Sequence, residues 1–251
     1  DVFEKSMISE KNIERMVDTM QAFNLLMKSH GIEKYKACAT SAMREAKNGA
    51  EVVEKIKAKT GVEIEIIDGN DEAAIIAATD LHNLIQSDKN YLYVDVGGGS
   101  TEFTLYSGGE VVASRSFKLG TVRLLEGLVG HNTWNEVEQW IKEVTEGHKK
   151  IDLIGSGGNI NKIFKLSGKK DGKPLTYFYM VTFYEFIQSY TYEERVTELG
   201  LNLDRADVII PATRIYLSAM KWSRSKNIYV PKIGLSDGII KSLYNDKTQP
   251  A

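Results

Sequence analysis

An aspartate inside an apolar strand is costly unless something pairs with it, and Val94-Asp95-Val96-Gly97-Gly98-Gly99-Ser100-Thr101-Glu102 places Asp95 there. Three consecutive glycines follow. They strip the turn of side chains, so its backbone N–H groups can approach a phosphate closely. Ser100 and Thr101 add hydroxyl donors, and Glu102 returns on the same side as Asp95 if the turn is tight. A bare glycine triplet would be no more than a flexible hairpin; an acid on either side, with Ser-Thr following, points to phosphate and cation chemistry. A second strand-to-glycine turn, Leu153-Ile154-Gly155-Ser156-Gly157-Gly158-Asn159, opens a helix. A helix N-terminus presents free N–H groups and a partial positive charge that suit an anion, although such turns also need glycine for geometry alone. Asp68-Gly69-Asn70-Asp71-Glu72 offers a carboxylate that could orient or deprotonate water, or one that simply complements a helix dipole. In Ala39-Thr40-Ser41-Ala42-Met43-Arg44, a guanidinium just after a strand end could clamp a phosphate through two donors.

Other phosphate chemistries lack their residues. Cys38 is followed by Ala39-Thr40-Ser41 and opens no Cys-x5-Arg loop, and there is no Gly-x4-Gly-Lys-Ser/Thr loop. The histidines, His30, His82, His131 and His148, are too scattered for a zinc site. Asp95-Val96-Gly97 lacks the second aspartate of a phosphoaspartate hydrolase. The chain has 251 residues, 42% hydrophobic and 26% charged, with a formal net charge of −2. This is ordinary globular composition. The charge argues against nucleic-acid binding, which leaves a basic footprint; a polyanion would need a local basic patch, and Lys165, Lys169, Lys170 and Lys173 offer one. No apolar run reaches membrane-spanning length, so no membrane partner is expected. The single cysteine fits a reducing, cytoplasmic setting.

The elements that must hold these residues follow from periodicity. Ile13, Met16, Val17, Met20, Phe23, Leu26 and Met27 recur at helical spacing and end at Gly31. Strands are expected at 35–39 and 62–67 and helices at 51–59 and 71–85, the last capped by Asn70. That alternation implies parallel strands with helical crossovers. After a polar stretch at 87–90 the pattern changes to three close strands, 91–96, 101–106 and 111–117, joined by hairpins. Helices at 122–128 and 135–146, a strand at 151–154 and a helix at 159–166 come next. A turn-rich link at 195–203, a helix at 207–222, a strand at 227–230 and a helix at 236–244 capped by Ser236 complete the reading. The domain boundary is placed near 86–90.

Taken in order, Ala39 to Arg44, Gly69 to Ala73, Asp95 to Glu102, Gly155 to Asn159 and Arg205 to Pro211 resemble the successive motifs of the Ppx/GppA family. These are the exopolyphosphatases and guanosine pentaphosphate phosphohydrolases, within the actin/Hsp70/sugar-kinase superfamily. The resemblance runs over nearly the whole chain. It implies an α/β fold of two RNase H-like, actin-like ATPase domains, with mixed sheets flanked by helices, facing each other across a cleft. Residues 1–87 would be the remainder of domain I, 88–235 domain II, and 236–251 a closing helix packing back on domain I. The family's opening strand with its Asp-x-Gly-Ser-Asn-Ser-type loop has no counterpart here, so the first domain is expected to be incomplete. The implied reaction is Mg²⁺-dependent release of the terminal phosphate of inorganic polyphosphate or guanosine pentaphosphate. Glu72 matches the catalytic base, and Asp95 and Glu102 match acids at the metal and its water. Gly97, Gly98, Gly99 and Ser100 match a phosphate loop, with Arg44 and the Gly155, Ser156, Gly157, Gly158 and Asn159 turn as further phosphate contacts. A homodimer is reasonable by the same resemblance. Two other readings share the glycine loops: an actin-like ATPase or kinase, and a non-catalytic regulator that binds an alarmone or polyphosphate.

Overall fold

A computed structural model describes residues 2–77, 79, 85–231 and 233–248. The chain divides into two compact units, Asp1–Ala78 with Leu235–Ala251, and Thr79–Gly234.

In the first unit, α1 (Val2–Lys5) precedes α2 (Glu10–Ser29), β1 (Ala37–Ala39), α3 (Ser41–Glu45), α4 (Gly49–Thr60), β2 (Ile64–Ile66) and α5 (Gly69–Ala77). The strands pair in parallel, Ala37 opposite Ile64 and Ala39 opposite Ile66, as the helix-linked order requires. Ile8, Ile13, Met43, Ala46, Val52 and Ile56 form the core, with Met16, Val17 and Met20 packed against it. The apolar stripe of α2 is only partly covered. Asn24 donates to the carbonyl of Thr60, the last residue of α4, so α2 outruns its partner and Phe23 and Leu26 stay exposed. Asn48 fixes the entry to α2: its amide accepts from Ile8 N–H and donates to Ile8 O, both at 2.9 Å.

Two details of the sequence reading change here. The strand at 35–39 is expected to run into a small polar loop at Thr40-Ser41; Thr40 precedes and Ser41 opens the short helix α3, which carries Arg44. The cap of α5 is Asp68, whose Oδ1 accepts from Asp71 N–H at 2.9 Å; Asn70 lies inside the first turn. The expected continuation of this helix to residue 85 falls largely on residues outside the described ones. The last helix, α12 (Leu235–Thr248), packs on α5. A Cβ at Gly238 would sit 2.1 Å from Ile75 O, so only glycine lets the two backbones approach.

The second unit is built on one six-stranded sheet. Its strands are β3 (Asn90–Val96), β4 (Thr101–Ser107), β5 (Glu110–Phe117), β6 (Ile151–Ser156), β7 (Leu175–Thr176) and β8 (Asn227–Tyr229), in the order β5-β4-β3-β6-β8-β7. The β3-β4-β5 meander is antiparallel, β3-β6-β8 are parallel, and β7 runs antiparallel to β8. Five of the seven β3 residues are buried, as a central strand covered on both faces must be. Around the sheet lie α6 (Thr121–Leu125), α7 (His131–Thr145), α8 (Gly158–Leu166), α9 (Tyr177–Gln188), α10 (Tyr192–Thr197) and α11 (Ile209–Trp222). Leu92, Val94, Phe103, Leu153, Ile160, Ile163 and Ile215 belong to one core, and Phe103, Phe117 and Trp140 pack ring against ring within it.

The sequence reading assigned no element to α9, and it left residues 195–203 as a link although α10 runs to Thr197. Strand-favouring aromatics fill α9, so local propensity pointed the wrong way. Its helical signal is the buried set Met180, Phe183 and Ile187. Thr191 and Glu194 form a reciprocal capping box at the start of α10.

Candidate active site

The register of the sheet sets Asp95 opposite Glu102 on β4 and beside Ser156 on β6, with Glu102 opposite Ser116 on β5. Directly paired residues share a face, so Ser116, Glu102, Asp95 and Ser156 form one polar row. Glu102 is only 3% exposed. Its Oε1 accepts from Ser100 Oγ at 2.7 Å and from Ser116 Oγ at 2.8 Å. Asp95 receives Ser156 Oγ at 3.3 Å, a hydroxyl that also reaches Ile233 O at 3.2 Å.

Burial, and next the charge of Glu102, push the Asp95 carboxyl up to about 7, against the pull of the Ser156 and Tyr93 hydroxyls. Burial, with the Asp95 charge behind it, raises the phenols of Tyr93 and Tyr216 well above the ordinary tyrosine range. Both therefore stay protonated, and Tyr216 donates to the carbonyl of Ser156.

The glycine turn closes through Gly97 N–H to Ser100 O at 3.0 Å. Its carbonyls face the start of α6. Gly97 O accepts from Thr121 N–H at 3.0 Å and Gly98 O from Val122 N–H at 2.9 Å. Gly99 O accepts from Arg123 Nε at 2.6 Å. Gly120 makes this contact possible, because a Cβ there would lie 2.3 Å from Gly98 O and 2.5 Å from Gly99 C. With the carbonyls held on that side, the N–H groups of Gly98, Gly99 and Ser100 have no acceptor among the described residues. Consecutive free amides of this kind make an anion-binding concavity.

The second turn divides into different roles. Gly155 lies within β6, and a Cβ there would meet Ile228 Cδ1 at 2.8 Å and Ile160 Cγ1 at 3.1 Å. Its missing side chain serves core packing, which accounts for the glycine without a phosphate. Ser156 is 2% exposed, with its hydroxyl engaged by Asp95 and the backbone. Gly157 has φ +112°, and a Cβ would stand 3.1 Å from Val96 O and 3.5 Å from Asp95 Oδ1. Gly158 is covered by Arg205, whose Nη1 donates to its carbonyl at 3.0 Å. Asn159 stands in the first turn of α8 with its Oδ1 buried and without a hydrogen-bond partner among the described residues.

In the first unit, Glu72 lies in the first turn of α5, and Arg44 donates to Ile67 O at 2.6 Å through one of its nitrogens. The lysine loop is partly self-engaged: Lys169 Nζ donates to Pro174 O at 2.7 Å. Among the described residues no three His, Cys, Asp or Glu side chains group to hold a metal. A cation at Asp95 and Glu102 would therefore complete its shell with water and substrate oxygens, which is how Mg²⁺ is usually held. Two carboxylates in register, one of them pushed toward neutrality by burial and then by the charge of the other, are a donor set that a divalent cation fits.

The sequence reading missed the segment that sets the loop, Gly120 to Arg123, and the hydroxyls of Tyr93, Ser116 and Tyr216. Ser116 had a legible signal, since the two hairpins together bring it level with Glu102.

A two-unit α/β chain of this kind, with an acid-flanked glycine hairpin, has the two-domain actin-like fold. Residues 2–247 match the model of the Ppx/GppA phosphatase family, and the chain belongs to that family. Among curated relatives, a bifunctional 3-dehydroquinate synthase/phosphatase from Fusobacterium nucleatum is 32% identical over 174 residues, covering 63% of this chain and 26% of that protein. Exopolyphosphatase 1 of Mycobacterium tuberculosis is 25% identical over 147 residues, 59% of this chain and 39% of that protein. A guanosine-5'-triphosphate,3'-diphosphate pyrophosphatase of Photobacterium profundum is 34% identical over 119 residues, 47% of this chain and 24% of that protein. The matched region thus spans 24–39% of the length of these three relatives. The Aquifex aeolicus Ppx/GppA crystal structure aligns with a TM-score of 0.76 at 25% identity, over 99% of this chain and 86% of that one. An exopolyphosphatase from Cytophaga hutchinsonii shares the fold, with a TM-score of 0.84 at 21% identity over 97% and 85% of the two chains.

Proposed function

We propose that the protein is a Mg²⁺-dependent phosphohydrolase that removes the terminal phosphate of inorganic polyphosphate or guanosine pentaphosphate. The observation that carries this reading is the row of free N–H groups on Gly98, Gly99 and Ser100 beside the Asp95–Glu102 pair. In this reading those amides receive the oxygens of the terminal phosphate. Charge-assisted bonds from preset donors hold it without reorganisation as the reaction proceeds. Asp95 and Glu102 would hold Mg²⁺, which when bound offsets charge on the transferred phosphate. Ser100 and Ser116 fix the Glu102 carboxylate through its Oε1. Glu72 takes the proton of the attacking water, and Arg44 adds a phosphate contact from the first unit. A phosphoanhydride needs positioned water and neutralised charge more than a covalent nucleophile.

The test is phosphate release from each substrate with and without Mg²⁺. Mg²⁺-dependent release from either one is expected. Saturable binding of both substrates with no release would replace the hydrolase by the regulator reading.

A further inference from the structure

A cavity of about 670 Å³ in the second unit lies away from the glycine loop. It is walled by the C-terminal ends of α7 and α11 and by the loop into β6. Strand β6 runs from Ile151 on the cavity wall to Ser156 beside Asp95, five steps of about 3.3 Å, or roughly 17 Å.

Besides Lys142, three cations line the cavity: Lys149, Lys150 and Arg224. None has a carboxylate partner among the described residues. Glu143 and Glu146 share the wall, and so does Lys142, which pairs with Glu138. Glu143 accepts from Gln139 at 2.8 Å. His148 and the Trp222 indole complete the chemistry on offer.

The backbone supplies a second, independent observation. Only three non-glycine residues among those described have left-handed φ: Ser6, Lys150 at +54° and Arg224 at +58°. Two of the three are cations on this one cavity. Arg224 follows α11 in a position that glycine usually takes, with Arg224 N–H bonded to Lys221 O and Ser225 N–H to Met220 O at 2.9 Å. An L side chain there is disfavoured. Cations do complement a helix C-terminus, but Lys142 and Lys221 already do so from within the last turns of α7 and α11. That effect does not require a left-handed arginine. Strained backbone persists where a side chain is needed in a particular place.

We infer that this cavity is a second anion site, which binds a phosphate-rich ligand through Lys149, Lys150 and Arg224, apart from the glycine loop. The shared chemistry is a chain of phosphates. It can come from an inorganic polyphosphate or from a nucleoside polyphosphate, whose base would meet Trp222.

Tryptophan emission of the whole chain is titrated with tripolyphosphate and, separately, with GTP. Trp222→Phe identifies the part of the signal that reports on the cavity. The variant carries Lys150→Gly and Arg224→Gly, which relieve both left-handed positions. The inference expects a saturable Trp222 signal in the native chain, weakened tenfold or more in the variant, together with a higher thermal midpoint for the variant. Tighter binding of GTP than of tripolyphosphate would support the nucleotide source, and equal binding the inorganic one. No saturable Trp222 signal with either ligand, or equal affinity in the variant, would overturn the inference. Because the readout is binding at Trp222, it stands or falls apart from hydrolysis at the glycine loop.

Discussion

Arg123→Ala tests whether the glycine loop is a preset phosphate cradle or a soft hairpin. Arg123 Nε lies 2.6 Å from Gly99 O. A hydrogen bond to a charged group contributes about 1.5–3 kcal/mol. Arg123 is only half-buried, so water can reach the released carbonyl and the lower end of that range applies. Thr121 and Val122 still hold Gly97 and Gly98, so the loop loosens at its tip without unfolding. If the released loop must re-form its bound shape for each substrate, apparent affinity falls by the fraction lost. About 1.4 kcal/mol is tenfold. KM for polyphosphate should therefore rise about tenfold with kcat nearly unchanged, and Arg123→Lys, which keeps the charge without the rigid donor, should recover only part of it. Initial rates of phosphate release measure this. Hydrogen exchange at the Gly98, Gly99 and Ser100 amides gives a separate readout, since phosphate should protect them less in the variant. An unchanged KM with a lower kcat would refute the reasoning and place Arg123 on the reacting groups.

Asp95→Asn should stabilise the fold at alkaline pH while abolishing phosphate release. A carboxyl raised from 3.8 to about 7 binds its proton more tightly when folded, so its presence favours folding below pH 4 and that advantage is lost as pH rises toward 7. Denaturant midpoints across pH 4–8 should fall in the native chain by up to about 4 kcal/mol of stability and run flatter in the variant; parallel curves would contradict the burial argument. Gly155→Ala should cost stability, about 1–3 kcal/mol for an overpacked core, yet leave phosphate affinity alone, and a selective loss of affinity would return Gly155 to the binding site. Glu72→Gln should lower kcat roughly 100-fold with little change in KM; near-normal turnover, with Glu102→Gln inactive, would move the base to Glu102.

The strands and glycine turns of the second unit were legible because each rule involved is local. Asp95 and Glu102 face one another because a four-residue hairpin between period-two strands allows little else. What the sequence hid was set by tertiary contact. Nothing local says that Gly120 must be glycine, because the reason is the Gly98–Gly99 backbone lying against it. Ser156 and Gly155 looked like parts of one phosphate loop, and only the strand pairing turns them toward Asp95 and the core. The apolar run Tyr177 to Gln188 has two competing periods, and burial of Met180, Phe183 and Ile187 decided between them. In the first unit, the capping oxygen proved to be that of Asp68, two residues ahead of Asn70, since both are good caps and the turn selects one.

The contact between Gly238 and Ile75 has a bearing on synthesis. The first unit is written in two pieces, separated by the 156 residues from Thr79 to Gly234. At a ribosomal pace of about 5–20 residues per second, α5 would wait on the order of ten seconds for α12 to be made. During that interval the whole second unit emerges with its own core complete, while the backbone of Ile75 that will lie against Gly238 has no helix upon it. A nascent chain stalled before Leu235 would therefore hold a finished glycine hairpin while the first unit is still incomplete, and holding chaperones should bind the stretch around Ile75 for that interval.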